Sequence, residues 1–240
     1  MSFIAQLAGK KCLVIGAGVT GQALKDALEG FKAEVVIFDE KTISGAVSKV
    51  PSDIQLVITS PGWRKDHEVF NQIRKIGAQL LSEIDFAWLV KNELAPNQKW
   101  VALTGTNGKT TTIQMVESIF KAANVNGAAC GNVGETVISA VCKSPAYDYL
   151  ALELSSFQIE WSELPKYESV AILNISPDHI DWHGSFDSYS KAKLKLLTQA
   201  KHIVLNKADP ELRNRCALNQ NVIWYSLDTP APGEIGLVEE

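Results

Sequence analysis

The sequence predicts an α/β protein in which an N-terminal Rossmann-like domain with a parallel sheet is followed by a P-loop-type α/β central domain. Three observations lead there. Short β-branched runs alternate with amphipathic stretches through the first third of the chain, as they do when strands are joined by crossover helices. A G-x-G-x-x-G pattern follows the first such run, and a Gly-Lys-Thr loop, TGTNGKTTT, follows a later one.

Taken in order, KCLVIG reads as a strand, residues 20–28 as a helix, AEVVIFD and IQLVITS as further strands, and residues 69–76 as a second helix. Residues 91–99, KNELAPNQK, are polar and contain Pro96. They place a domain boundary near residue 95 and divide the chain into 1–95 and 96–240. The second sheet is expected from WVALTG, YDYLALEL, SVAILNI, HIVLN and VIWYS. Between the first two, Ile113, Val116, Ile119, Phe120 and Ala123 recur at the spacing of a helix laid on a sheet.

Composition excludes several classes. With 23 basic and 27 acidic residues among 240, a formal charge of −4 gives no general attraction to nucleic acid or to an anionic membrane; a charged ligand needs a local site. Cys12, Cys130, Cys142 and Cys216 form no C-x-x-C pair, which argues against a zinc cluster or redox motif and suits a reducing cytoplasm. The apolar run 12–15 is too brief for a signal-peptide core, and no stretch approaches the ~20 apolar residues of a membrane helix.

The first loop, VIGAGVTGQAL, carries its glycines at Gly16, Gly18 and Gly21, and Asp39 closes the next strand. Glycines there let the backbone approach a diphosphate at the N-terminal end of a helix. A nicotinamide dehydrogenase is one reading, and tight turns without a ligand are another. In the second loop, the backbone N–H groups of Thr106, Asn107, Gly108 and Lys109 can ring a phosphate, the Lys109 ammonium can neutralise its oxygens, and the Thr110 hydroxyl can ligate magnesium. The Walker A pattern wants glycine where this chain has Leu103. Two other matches, NKAD at 206–209 and DWHG at 181–184, fit a GTPase by composition. Asp181 nevertheless stands too far beyond a strand end, and NKAD reads equally as a polar turn.

TGTNGKTTT, CGNVG at 130–134, LELSSFQ at 152–158, LNISPDHIDWH at 173–183 and YSKAKLKLL at 189–197 follow one another in that order. Together they closely resemble the Mur ligases across essentially the whole chain. TGTNGKT is that family's own form of the phosphate loop, and LELSSFQ resembles the branch that joins D-glutamate to UDP-N-acetylmuramoyl-L-alanine. The resemblance implies ATP as cosubstrate, held by Gly105, Thr106, Asn107, Gly108, Lys109, Thr110 and Thr111. It implies two magnesium ions, with Thr110, Glu153, His179 and Lys193 as ligands, and a carbamate on Lys193. Lys109, Glu153, His179 and Lys193 are the catalytic candidates, whereas Lys191 and Lys195 are expected on a solvated helix face. The glycine loop becomes a UDP-sugar site: Gly18, Val19 and Thr20 lie at the diphosphate, Asp39 and Lys41 near the uracil, and Ser60, Pro61 and Gly62 in the same cleft. Asn132 and His179 would reach the substrate from the central domain. Lys41 stands where the family often has arginine, a point charge in place of a planar fork.

The resemblance further implies a cytoplasmic monomer with small-molecule substrates and no nucleic-acid or membrane partner. It also implies that the chain ends inside the second of three domains, so that these residues alone would form no amide. A folylpolyglutamate synthase-like ligase is the alternative within the family, disfavoured by LELSSFQ and the complete GAGVTG loop. A non-catalytic UDP-sugar or phosphate-binding module is the alternative outside it.

Overall fold

The computed structural model describes residues 2–40, 46–47, 49–216 and 222–238. The chain forms two compact units, one made of residues 1–98, 135–147 and 161–165, the other of 99–134, 148–160 and 166–240. Each contains one wholly parallel sheet.

The early elements are β1 (Lys11–Ile15), α1 (Val19–Gly30), β2 (Glu34–Phe38), β3 (Ala46–Val47), β4 (Leu56–Thr59), α2 (Glu68–Ile76), β5 (Gln79–Ser82) and α3 (Glu83–Leu94). The strands lie in the order β3-β2-β1-β4-β5. Central β1 and β4 are buried from Cys12 to Ile15 and from Leu56 to Thr59, as expected of strands covered on both faces. Leu13, Ile15, Phe38, Val57, Phe70, Ile73 and Trp161 share one core. His67 caps α2 by accepting from Val69 N, and left-handed Gly77 ends that helix.

The later elements are β6 (Lys99–Thr104), α4 (Lys109–Ala122), β7 (Gly127–Gly131), α5 (Val137–Val141), β8 (Tyr149–Glu153), α6 (Ser156–Trp161), β9 (Tyr167–Ile172), α7 (Ile180–His183), α8 (Phe186–Leu194), β10 (Ala200–Asn206), α9 (Pro210–Cys216) and β11 (Val222–Tyr225). Their sheet runs β11-β10-β9-β6-β8-β7, so the end of β6 is flanked by the ends of β8 and β9. That geometry positions the phosphate loop.

Two details depart from the sequence reading. On α4, Ile113, Val116 and Phe120 pack toward the sheet, but Ile119 is 63% exposed. At ~100° per residue it falls about 60° outside the arc that those three define, and Ala123, expected on the same face, is exposed as well. The second departure is continuity: α5 and residues 161–165, drawn from beyond residue 96, pack with the first unit. Asp85 of α3 holds part of that addition, because its Oδ1 accepts from Glu163 N and Leu164 N at 2.8 Å each.

Candidate functional site

In the first unit, the loops after β1 and β4 meet beside the centre of the sheet, where the strand order changes direction and α/β proteins hold ligands. Gly16 has φ of 96°, and a Cβ on Gly21 would stand 1.8 Å from the Gly16 carbonyl oxygen, so both positions require glycine. A Cβ on Gly18 would meet nothing within 4 Å. Its bareness leaves open space at the start of α1. Asp39 Oδ2 accepts from Ala17 N at 2.8 Å and so holds the loop backbone. Val19 is exposed, Thr20 and Pro61 are half-buried, and Gly62 is exposed. Ser60 N donates to Ile15 O at 2.9 Å, while its Oγ is buried without a hydrogen-bond partner. Lys41 lies outside the described residues.

In the second unit, β6 delivers the chain at Thr104, and left-handed Gly108, φ 81°, turns it into α4. Thr106 N donates to Asn174 O at 3.0 Å, and Asn107 N donates to the Asn174 side-chain oxygen at 2.9 Å. Two of the four amides expected to ring a phosphate are therefore already engaged, and the amides opening α4 remain to face an anion. Asn174 completes a reciprocal pair by donating to Asn107 O at 3.1 Å. Thr106 Oγ1 accepts from Ser176 N at 3.0 Å and lies 3.0 Å from the Tyr189 hydroxyl. Lys109 Nζ folds back on the carbonyls of Gly105 and Thr106, 2.9 Å from each. Thr110 is half-buried and Thr111 exposed.

Glu153 ends β8 opposite Leu103 of β6 and Gly131 of β7. It is 1% exposed rather than solvated, with Oε1 accepting from Asn132 Nδ2 at 3.1 Å. Its Oε2 is buried without a hydrogen-bond partner. Gly131, with φ of 118°, lets the backbone close in so that Asn132 N donates to Glu153 O at 2.8 Å. Magnesium takes one or two carboxylates and fills its shell with water and phosphate oxygens, and an unpartnered carboxylate oxygen on the strand beside a phosphate loop fits that demand. Among the described residues no cluster of three or more His, Cys, Asp or Glu side chains could enclose a metal, so an all-protein cage does not fit.

Lys193, buried on α8, donates to Gly105 O at 3.0 Å and Thr104 Oγ1 at 3.2 Å, with its amine 4.8 Å from the centre of the Tyr189 ring. Burial, and secondarily the Lys109 charge, push its pKa down to about 7. Lys191 is exposed and paired with Asp187 at 2.7 Å. Lys195 is half-buried and donates to Glu160 O at 3.3 Å, so it is not simply a solvated residue. His179 is left-handed and its side chain half exposed; its Nε2 lies 3.5 Å from Asp178 Oδ2 and its ring 4.8 Å from Phe157. The fold thus gathers Gly105, Thr106, Lys109 and Lys193 closely and sets Glu153 on the adjacent strand, with His179 pairing to Asp178 instead.

Tyr189, Asn174 and Ser176, which tie the loop down, lie within the LNISPDH and YSKAKL segments but carry no signal of that role in one sequence. The NKAD segment is used internally: Asp209 accepts from Ile175 N at 3.0 Å and Leu212 N at 2.8 Å, and Lys207 pairs with Glu234 at 2.7 Å. That carboxylate serves as a backbone brace.

Residues 103–236 match the family model described as the Mur ligase middle domain. The chain is 36% identical over 259 residues to a UDP-N-acetylmuramoylalanine–D-glutamate ligase of Thermobifida fusca, covering 98% of this chain and 55% of that protein. It is 34% identical over 261 residues to the ligase of the same name from Streptomyces coelicolor, with the same coverage of 98% and 55%. The chain spans about half the length of the curated relatives it matches. Its fold is similar to that of UDP-N-acetylmuramate:L-alanyl-gamma-D-glutamyl-meso-diaminopimelate ligase from Neisseria meningitides, at a TM-score of 0.61 and 16% identity over 91% of this chain and 78% of that one. It is also similar to MurF ligase from Thermotoga maritima in complex with ADP, at a TM-score of 0.53 and 16% identity over 95% and 52%.

Proposed function

The chain belongs to the Mur ligase family, and from that membership we propose that it serves ATP-dependent addition of D-glutamate to UDP-N-acetylmuramoyl-L-alanine in peptidoglycan precursor synthesis. The reaction moves the ATP γ-phosphate to the substrate carboxylate, giving an acyl phosphate and ADP. The D-glutamate amine then attacks the acyl carbon, phosphate leaves, and an amide remains.

The observation that carries this reading is Lys193, a buried amine directed at the phosphate loop and half deprotonated near neutrality. An ordinary surface lysine is nearly all ammonium there and cannot add carbon dioxide; a neutral amine can, releasing a proton and becoming an anionic carbamate. In this reading Lys109 leaves the Gly105 and Thr106 carbonyls to meet phosphate oxygens, and the amides opening α4 orient them. Asn132 fixes Glu153 so that Oε2 stays available. Magnesium, when bound, supplies positive charge against the phosphate oxygens, and Thr110, Glu153, His179 and carbamylated Lys193 are the residues that would hold two such ions. In the first unit, Gly18, Val19, Thr20, Asp39, Lys41 and Ser60–Gly62 receive the UDP-sugar; in the second, Asn132 and His179 are the substrate-binding residues of this reading.

A cytoplasmic monomer acting on small molecules completes the proposal; no described helix is long and apolar enough to cross a membrane. The test is calorimetric titration of the 240-residue chain with UDP-N-acetylmuramoyl-L-alanine, ATP with magnesium, NADH and GTP. Binding of the first two is expected, and a preference for NADH or GTP would overturn the reading.

A further inference from the structure

α7 is too short to stand alone. Its four residues close a single turn, far shorter than the ~12 residues at which an isolated helix becomes even marginal in water, and none of them is buried. Left-handed backbone brackets it, His179 at φ 49° before it and Gly184 at φ 81° after it. Glycine takes that conformation freely, whereas histidine holds it only where the surroundings impose it. Aromatic contacts supply the hold. The half-buried Phe157 ring of α6 lies 4.8 Å from His179 and 4.8 Å from Trp182, and stacks on His183 at 5.7 Å with 15° between the planes. Tyr189 meets His183 edge-on at 5.4 Å and His179 at 6.4 Å. His183 adds a polar strut, its Nε2 3.0 Å from the Oγ of buried Ser156.

Phe157 is itself fixed at its base. Gln158 Oε1 accepts from Ser155 N at 2.9 Å and Ser155 Oγ accepts from Gln158 N at 3.2 Å, a reciprocal cap that sets the start of α6 two residues after Glu153. All of these residues belong to the second unit. We propose that Phe157 is a positioning residue for His179: its ring, anchored by the capped start of α6, holds α7 and the imidazole that opens it in the orientation the magnesium site uses. The inference rests on the ATP–magnesium reading above and adds a residue that acts only through His179. An imidazole already held by stacking has less freedom to lose on meeting a metal than one on a free loop, so a support of this kind changes metal affinity without touching the metal.

Calorimetric titration of the 240-residue chain with ATP, once in magnesium and once in EDTA, separates metal-dependent affinity from the integrity of the phosphate loop. His179→Ala and Phe157→Leu should each lower ATP affinity in magnesium about tenfold and leave it unchanged in EDTA. The double variant should lose about tenfold rather than a hundredfold, because both changes remove the same interaction. Phe157→Tyr, which keeps the ring, should bind as the wild type does. Wild-type affinity of Phe157→Leu in magnesium, an equal loss in EDTA, or a hundredfold loss in the double variant would overturn the proposal. Normal magnesium-dependent binding by His179→Ala would instead remove His179 from the metal site, and no ATP binding by the wild type would sink the ATP reading, each taking this proposal with it.

Discussion

Replacing Lys193 with methionine should stabilise the protein near neutral pH and remove a specific pH dependence. The amine has its ordinary pKa of 10.5 in the unfolded chain and about 7 in the folded one, where burial opposes its charge. Between those values the unfolded state holds a proton that the native state lacks. Stability is therefore fully present above 10.5 and is lost as pH falls toward 7. A gap of about 3.5 pH units at 1.36 kcal/mol each sets a ceiling of about 5 kcal/mol on the penalty. Methionine has similar length and leaves no orphan: Thr104 Oγ1 still donates to Leu154 O at 2.8 Å, and Gly105 O still accepts from Lys109 Nζ at 2.9 Å. Urea unfolding in carbon dioxide-free buffers from about pH 7.5 to pH 10 should show the wild type gaining up to ~1.4 kcal/mol per pH unit on the variant, which starts as the more stable protein. Parallel pH curves for the two proteins would show that Lys193 is charged in the fold and that the reasoning is wrong.

Gly21→Ala should destabilise the first unit by ~3 kcal/mol or more in thermal or urea unfolding, since its Cβ would stand 1.8 Å from a backbone oxygen. Gly18→Ala should change stability by less than ~1 kcal/mol yet weaken UDP-sugar binding measured by calorimetry, because its side chain enters open space at the loop. Asp85→Ala strands the amides of Glu163 and Leu164 and should lower unfolding free energy by about 3 kcal/mol, with Asp85→Asn recovering part of the loss. Glu153→Gln keeps the Asn132 contact but removes the anion; magnesium-dependent ATP affinity should fall about tenfold or more while the urea midpoint barely moves.

Eight of the strand segments and both glycine loops were legible because their signals are local, whereas short β3 and β5 and the glycine- and alanine-rich β7 were not among the strands expected. A buried β-branched run and a glycine at a forced turn are each written within a few residues. α3 escaped that kind of reading, because buried Glu83, Asp85 and Lys91 interrupt its apolar periodicity. Lys91 is accommodated by donating to Pro96 O at 2.9 Å, an arrangement that one-dimensional hydropathy cannot register. The candidate residues were legible as chemistry but not as environment. LELSSFQ suggests a carboxylate at a strand end, whereas the absence of a partner for Glu153 Oε2 follows from where β7 places Asn132. Likewise, YSKAKLKLL offers three lysines in alternation. The resemblance singles out Lys193 among them, but the packing of α8 is what buries it and leaves Lys191 exposed and Lys195 half-buried rather than solvated.

The discontinuity of the first unit bears on how the protein is made. A nascent chain that has exposed only residues 1–98 already holds all five strands of its first sheet, so that sheet can begin to assemble during synthesis. It still lacks α5, whose Val137, Ile138, Ala140 and Val141 are fully buried and which packs on α3, and it lacks Trp161, a member of the sheet's core. Until about residue 165 has left the ribosome, α3 presents an uncovered apolar face and Asp85 awaits the amides it will bind. A stall or truncation in that interval would release an intermediate with native strand order and a sticky flank, a natural substrate for chaperones and a poor starting point for expressing the N-terminal region alone.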